Sequence, residues 1–158
     1  MSPDNTPINQ EGAVTALFTP LLLSNKEYSF NFVSYRENPQ APVSLSVTAN
    51  SNAANGQFSS ISLKADEAHK LSSSLQGAIQ GNLSGQHTIA ARKTSSLVLS
   101  MENNSLTLYL NKNGLSSSYI RLDRFGANLI RMKVNEHLCK LFDLPEDVVC
   151  KMISSVSM

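Results

Sequence analysis

Residues 118–142 read SYIRLDRFGANLIRMKVNEHLCKLF, a strand, a tight turn and a helix in immediate succession. Ile120 and Leu122 alternate with Tyr119 and Arg121, so the aliphatic pair takes one face of a strand and the aromatic and basic pair the other. Asp123 follows as a helix cap. Ala127, Ile130, Val134, Leu138 and Leu141 then recur at steps of three and four, the stripe of a helix lying on a sheet. The pattern occurs once before, in ISLKADEAHKLSSSLQGAI at residues 61–79. Ile61, Leu63, Ala68, Leu71, Leu75 and Ile79 precede Ile120, Leu122, Ala127, Ile130, Val134 and Leu138 by a constant 59 residues, without a gap. Any strand followed by an amphipathic helix gives similar spacing, but six aligned core positions favour an internal duplication.

Outward from these two stretches, each half reads as about four strands followed by one helix. In the first half, residues 13–23 form an apolar segment bent by Pro20, and Phe30 and Phe32 then alternate with Asn31 and Val33 in a strand. The prolines of ENPQAP turn the chain at residues 37–42. Val43, Leu45 and Val47 alternate with serine until the polar loop TANSNAANG. The strand Phe58 to Leu63 feeds the first helix, which is expected to end near Gly81. In the second half GNLSGQH reads as a flexible crossover and residues 89–92 as an edge strand. Leu97, Leu99 and Met101 form the next strand, Asn103-Asn104 a hairpin turn, Leu106, Leu108 and Leu110 another strand, and Asn113-Gly114 a further turn. The expected fold is α+β, two antiparallel (ββββα) units packed as an internal pseudo-dimer. Residues 1–24 are an arm with a first strand, residues 25–142 the duplicated domain with halves near 25–81 and 86–142, and residues 143–158 a tail.

A chain of 158 residues is one domain by length and buries about two-thirds of its unfolded surface. Cys139 and Cys150 read as reduced thiols, the first expected to be buried. MSPDNTPINQEG has no basic segment before an apolar run and ALFTPLLL is short and interrupted, so neither a secretory signal nor a membrane span is expected, and the expected location is cytoplasmic, the host cytoplasm for a viral protein. Without a secretory context the Asn-x-Ser matches at Asn82 and Asn103 are chance. Net charge is +1, unevenly spread: residues 1–85 carry −2, residues 86–140 carry +5 and residues 141–158 carry −2. The basic second half suits a polyanion, and equally a solvated face of mixed charge.

Catalytic patterns are thin. His69, His87 and His137 show no metal spacing on one helix face, and Asp66-Glu67 reads as the acidic start of a helix. G-x-S-x-G, the P-loop and G-x-G-x-x-G do not occur. The chain is expected to be no enzyme and to need no cofactor.

The (ββββα) unit taken twice resembles the Whirly domain of single-stranded-DNA-binding proteins and, counted once per subunit, the dimeric transcriptional-coactivator fold; small phage single-stranded-DNA-binding proteins, including polymerase cofactors of podoviruses, are similar in outline. The resemblance is one of element order over residues 25–142. Whirly's KGKAAL-type motif is absent, so no family residue is carried over. What the resemblance implies is a non-catalytic single-stranded DNA-binding protein of viral type, acting in replication or transcription beside an RNA polymerase or replication protein, with RNA as an open alternative ligand and a homo-oligomeric state.

Strand parity supplies the candidate residues. With the helices over Ile120, Leu122, Leu106, Leu108 and Leu110, the opposite face carries Tyr119, Arg121, Tyr109 and Thr107. Rings stack under bases and cations follow the phosphates. Lys112 lies just past Tyr109 in the turn, Arg92 with Lys93 opens the preceding strand, and Tyr35 and Arg36 end a strand of the first half. The plainer reading makes Tyr109 and Tyr119 a cross-strand pair on an ordinary solvent face. Arg124 and Arg131 are expected to face solvent or pair with Glu136. Val148, Val149, Met152 and Ile153 make the tail a candidate for self-association. A structural or assembly β module that binds no nucleic acid is the competing function, and its sheet edges and apolar tail would make the subunit contacts.

Overall fold

The computed structural model describes residues 15–16, 20–36, 38–40, 43–53, 56–115 and 117–142. Two antiparallel sheets, each followed by a helix, account for them. The first sheet holds β1 (Thr15–Ala16), β2 (Leu21–Ser24), β3 (Tyr28–Arg36), β4 (Ser44–Ser51) and β5 (Phe58–Leu63), and α1 (Ala65–Ile79) follows. The second holds β6 (Gly85–Ala91), β7 (Ser95–Glu102), β8 (Ser105–Lys112) and β9 (Ser118–Leu122), and α2 (Arg124–Phe142) follows. β3, β4 and β5 are neighbours in that order, with β1 and β2 sharing the outer edge of β3; β6 to β9 pair in chain order. The α+β layout of two (ββββα) units is as the alternation requires. The apolar segment at residues 13–23 divides into β1 and β2 on either side of Pro20, since proline lacks the amide that a continuous ladder needs.

The duplication is visible in burial. Ile61 and Ile120, Leu63 and Leu122, Ala68 and Ala127, Leu71 and Ile130, and Leu75 and Val134 are all buried. Register matches as well: Val47 opposite Ile61 in the first sheet corresponds to Leu108 opposite Ile120 in the second. The two helix starts are capped in opposite directions. Asp123 Oδ1 accepts the Gly126 N–H at 2.7 Å, whereas Glu67 Oε1 reaches back to accept the Lys64 N–H at 2.9 Å.

The halves do not pack each on itself. α1 touches β6 and β7 of the second sheet besides its own β5, and α2 touches β2, β3 and β4 of the first sheet besides its own β9; β5 in turn meets β7 and β8, and β9 meets β3 and β4. Each strand-helix unit thus closes the other half's sheet, and one continuous core results, with Phe30, Phe32, Leu45, Leu71, Leu75, Leu97, Leu99, Leu108, Leu110 and Ile130 inaccessible to water. Apolar burial at about 25 cal/mol per Å² makes this shared core the main stabilising term. His137 of α2 is drawn into it: the ring is wholly buried, Nδ1 lies 3.2 Å from Ser34 Oγ on β3, and burial pushes its pKa down to about 4.

Three expectations are corrected. The supposed crossover GNLSGQH already holds the first three residues of β6, whose ladder shifts register between Thr88 and Ala90 and leaves Ile89 and Ala90 both buried. β4 extends to Ser51, into the segment read as a polar loop. Cys139 is half-buried, not buried. α1 ends near Gly81 as expected, its last residue being Ile79 and Gly81 taking φ +79° just past the end. The Asn103-Asn104 turn is as expected, both residues having positive φ (54° and 64°), the geometry of a two-residue hairpin whose twist matches its strands. The arm at residues 1–14, Cys150 and the tail with Val148, Val149, Met152 and Ile153 lie outside the described residues.

Candidate functional site

The outer faces of the two sheets differ in chemistry. On the first, Ser46, Thr48 and Ser60 place their hydroxyls within 3.4–3.5 Å of one another, and Tyr35 Oη lies 3.0 Å from Ser62 Oγ. The outward positions of β3 to β5, from Ser29 to Ser62, include no charged side chain. On the second, Thr88, Val98, Tyr109 and Tyr119 stand directly opposite one another across β6 to β9, and Ser100, Thr107 and Arg121 form the next row.

The contacts of this face converge on Tyr119, in the outermost strand β9. Its ring lies 6.3 Å from that of Tyr109, tilted by 41°, and 5.3 Å from that of Tyr28, which meets it edge-on at 62°. Tyr28 is the first residue of β3; it is half-buried against the core and buttresses Tyr119 from the junction of the two sheets. The Tyr119 hydroxyl donates a hydrogen bond to Glu27 Oε1, and that bond, with the carboxylate's charge, holds the phenol above its usual pKa. The Asn25 side-chain amide donates to the Tyr119 carbonyl at 3.2 Å. Asn25 Oδ1 also accepts the N–H groups of Glu27 and Tyr28 at 2.8 and 2.7 Å, an Asx turn that shapes the β2–β3 connection. Asn52 then fastens the turn from the far side, its N–H reaching the Glu27 carbonyl at 2.8 Å and its amide the Asn25 carbonyl at 3.0 Å.

The eight residues proposed from parity separate into four groups. Tyr109, Tyr119 and Arg121 share one face, as the alternation of β8 and β9 demands. Lys112 and Lys93 are exposed at the end of the same sheet, beyond the tyrosines. Tyr35 lies on the outer face of the first sheet, about 23 Å along β3 from Tyr28 at 3.3 Å per residue, and Arg36 has the parity of Phe30, Phe32 and Ser34, half-buried toward the helices. Arg92 is engaged elsewhere: Nη2 donates to Glu67 Oε1 at 2.6 Å and to the Ser62 carbonyl at 2.7 Å, and Nη1 to Glu67 Oε2 at 2.7 Å. This fork holds the Glu67 carboxyl below its usual range and raises the Arg92 guanidinium. On α2, Glu136 accepts from Lys133 at 2.6 Å; Arg124 is exposed, as expected, while Arg131 is half-buried and donates to Asn128 at 2.9 Å.

Glu27, Tyr28 and Asn25 were not among the candidates. Tyr28 has the core parity of its strand, and nothing local in the sequence says that the start of β3 meets β9. Beside the tyrosines, Arg121 also borders a cleft of about 370 Å³ between β2, β9 and the start of α2, lined by Leu23, Leu122, Phe125 and Leu129 among others. Its one carboxylate, Asp123, already caps the helix. No family model matches this chain, and no curated protein is detectably similar to it.

Proposed function

We propose that the protein binds single-stranded nucleic acid, DNA in the first instance, through the outer face of the second sheet, without catalysing a reaction. The observation that carries this reading is the pairing of Tyr109 and Tyr119 on an open sheet face, braced by Tyr28, with Arg121 in the adjoining row. Rings held at fixed spacing accept any base by stacking, and the cations around them, Arg121, Lys112, Lys93 and Lys26, are placed to meet phosphates. The layout of two crossed (ββββα) units supports a Whirly-like pseudo-dimer, and a viral replication or transcription role in the cytoplasm with a polymerase partner belongs to the same proposal.

The test is competition between a labelled single strand of about 30 nucleotides and the corresponding duplex, read by anisotropy. The single strand is expected to win, and equal competition by the duplex would sink the reading. With four cations engaged, log K should fall with log salt at a slope of about −3. An assembly module is the second reading, favoured by Leu22 and Phe58, which stand 63% and 57% exposed on the first sheet. It predicts no binding of either nucleic acid, together with an oligomer in light scattering. Self-association through residues 145–158 is compatible with both readings and is tested by the oligomeric state after their deletion.

A further inference from the structure

The carboxylate beside the tyrosines is out of place on a surface meant for a polyanion, unless it meets something other than phosphate. Glu27 lies on an exposed turn, but that turn is pinned by the Asx bonds of Asn25, by the Asn52 contacts and by the bond from Asn25 to the Tyr119 carbonyl. Its Oε1 is fixed by the Tyr119 hydroxyl. Among the described residues Oε2 has neither a hydrogen bond nor an ion pair, although Lys26 is its chain neighbour. A carboxylate so held has a defined direction at the rim of a stacking ring, and it retains acceptor capacity on both oxygens.

A base lying on Tyr119 presents its edge to that rim. A thymine or uracil edge offers a single N–H flanked by two carbonyl oxygens, which a carboxylate repels. Cytosine and adenine each offer one amino group. Guanine alone places two donors side by side, the ring N1–H and the 2-amino group, matching the two oxygens of a carboxylate. We propose, on the basis of the single-strand reading above, that Glu27 is the specificity-determining residue of this face and selects guanine over thymine or uracil at the nucleotide stacked on Tyr119. The negative charge then has a use: it keeps phosphate from the ring and turns the strand so that its bases face Tyr119 while its backbone runs toward Arg121 and Lys112.

The experiment uses the full chain and three labelled 12-nucleotide strands: thymidine throughout, the same strand with three isolated guanines, and the same strand with inosine at those positions. Isolated guanines avoid four-stranded structures, and inosine keeps N1–H but lacks the 2-amino group. The wild-type protein should prefer the guanine strand to the thymidine strand by about tenfold, within the range of a bidentate base contact, with inosine between them. In Glu27→Gln the amide oxygen still accepts the Tyr119 hydroxyl, so the turn keeps its anchor, but one acceptor and the charge are gone. Guanine binding should then fall to the thymidine level. A wild-type protein that binds all three strands equally overturns the role of Glu27 and leaves single-strand binding standing. A preference that survives in Glu27→Gln overturns it as well, including the case in which the variant binds every strand more tightly through lost repulsion alone. Binding to none of the strands overturns this proposal together with the reading on which it rests.

Discussion

Two junctions join the halves, and they occupy corresponding places in the fold. In one, Arg92 at the end of β6 reaches across to the Ser62 carbonyl on β5 and to Glu67 on α1. In the other, Asn25 between β2 and β3 reaches across to the Tyr119 carbonyl on β9, with Glu27 and Tyr28 closing on the same tyrosine. The first junction is sealed. Its two charges meet in a fork, and the neighbouring outer positions, Ser60 and Ser62, bond among the hydroxyls of their own face. The second has Tyr119 and Arg121 at the positions of Ser60 and Ser62, and Tyr109 at that of Thr48. It leaves the Tyr119 ring partly exposed, and it leaves the Arg121 guanidinium and one Glu27 carboxylate oxygen without a hydrogen bond or ion pair among the described residues. Duplicated units have one structural task in common, so chemistry present in only one of them is chemistry that the fold does not require.

The inner faces should show the reverse, and the largest expected effects test that. Ile61→Ala and Ile120→Ala remove equivalent buried side chains from β5 and β9, and each should cost about 2 to 5 kcal/mol in denaturant melts through the cavity it leaves. The two values should agree within about 1 kcal/mol if the units contribute equally to one core. A large inequality, or two separate unfolding transitions, would break the picture of crossed packing.

The next effect comes from the helices, where a buried ring stands in only one of them: Ala78 of α1 corresponds to His137 of α2. The folded pKa of His137, about 4, lies below its ordinary 6.5 because burial disfavours the charged ring. Between those values the unfolded chain holds the extra proton, so stability falls as pH drops from about 6.5 to about 4, by about 3 kcal/mol in all. Glu67 acts in a different window, since its lowered pKa gives stability that is present above the usual carboxylate range and lost only as pH falls through the folded value. His137→Leu should flatten the profile between pH 6.5 and 5 and leave the acid limb. An unchanged profile would show that the ring is not a source of the acid sensitivity.

How far the sequence reached follows from the range of its signals. Parity and helical stripes are local, and they located Ile120, Leu122, Ala127 and the outward Tyr119 and Arg121 correctly. The partner of an edge is not local. That Arg92 would meet Glu67, 25 residues earlier, or that Tyr28 would meet Tyr119, depends on crossed packing that no window of residues encodes. The start of β6 is illegible for another reason, because its first four residues, Gly85, Gln86, His87 and Thr88, carry no apolar side chain whose alternation would mark a strand.

Binding variants give smaller energies and compare the outer faces directly. Tyr109→Ala and Tyr119→Ala should each weaken single-strand binding by about 1 to 3 kcal/mol, whereas Thr48→Ala and Ser60→Ala, at the equivalent places, should leave it unaltered. Arg92→Ala should lower stability by about 1 to 2 kcal/mol, between the values for surface and buried pairs, because Glu67 keeps most of its burial and loses its partner. Tyrosine variants that unfold early yet bind normally when folded would return the pair to an ordinary packing role.

The smallest effect separates cations that are available from cations that are not. Arg121 has no carboxylate within ion-pair distance among the described residues, and its side chain is exposed in the row beside Tyr119. A phosphate that it neutralises releases counterions from the strand, so Arg121→Ala should make the slope of log K against log salt shallower by about 0.7, the contribution of one contact on a single strand. Arg92 already has its charge met by Glu67, and the fork would have to open before a phosphate could replace the carboxylate. Arg92→Ala should therefore leave the slope as it is, measured where the variant is fully folded. Equal changes of slope in the two variants would mean that the strand follows both junctions, and the contrast between a sealed and an open junction would then have no bearing on where nucleic acid binds.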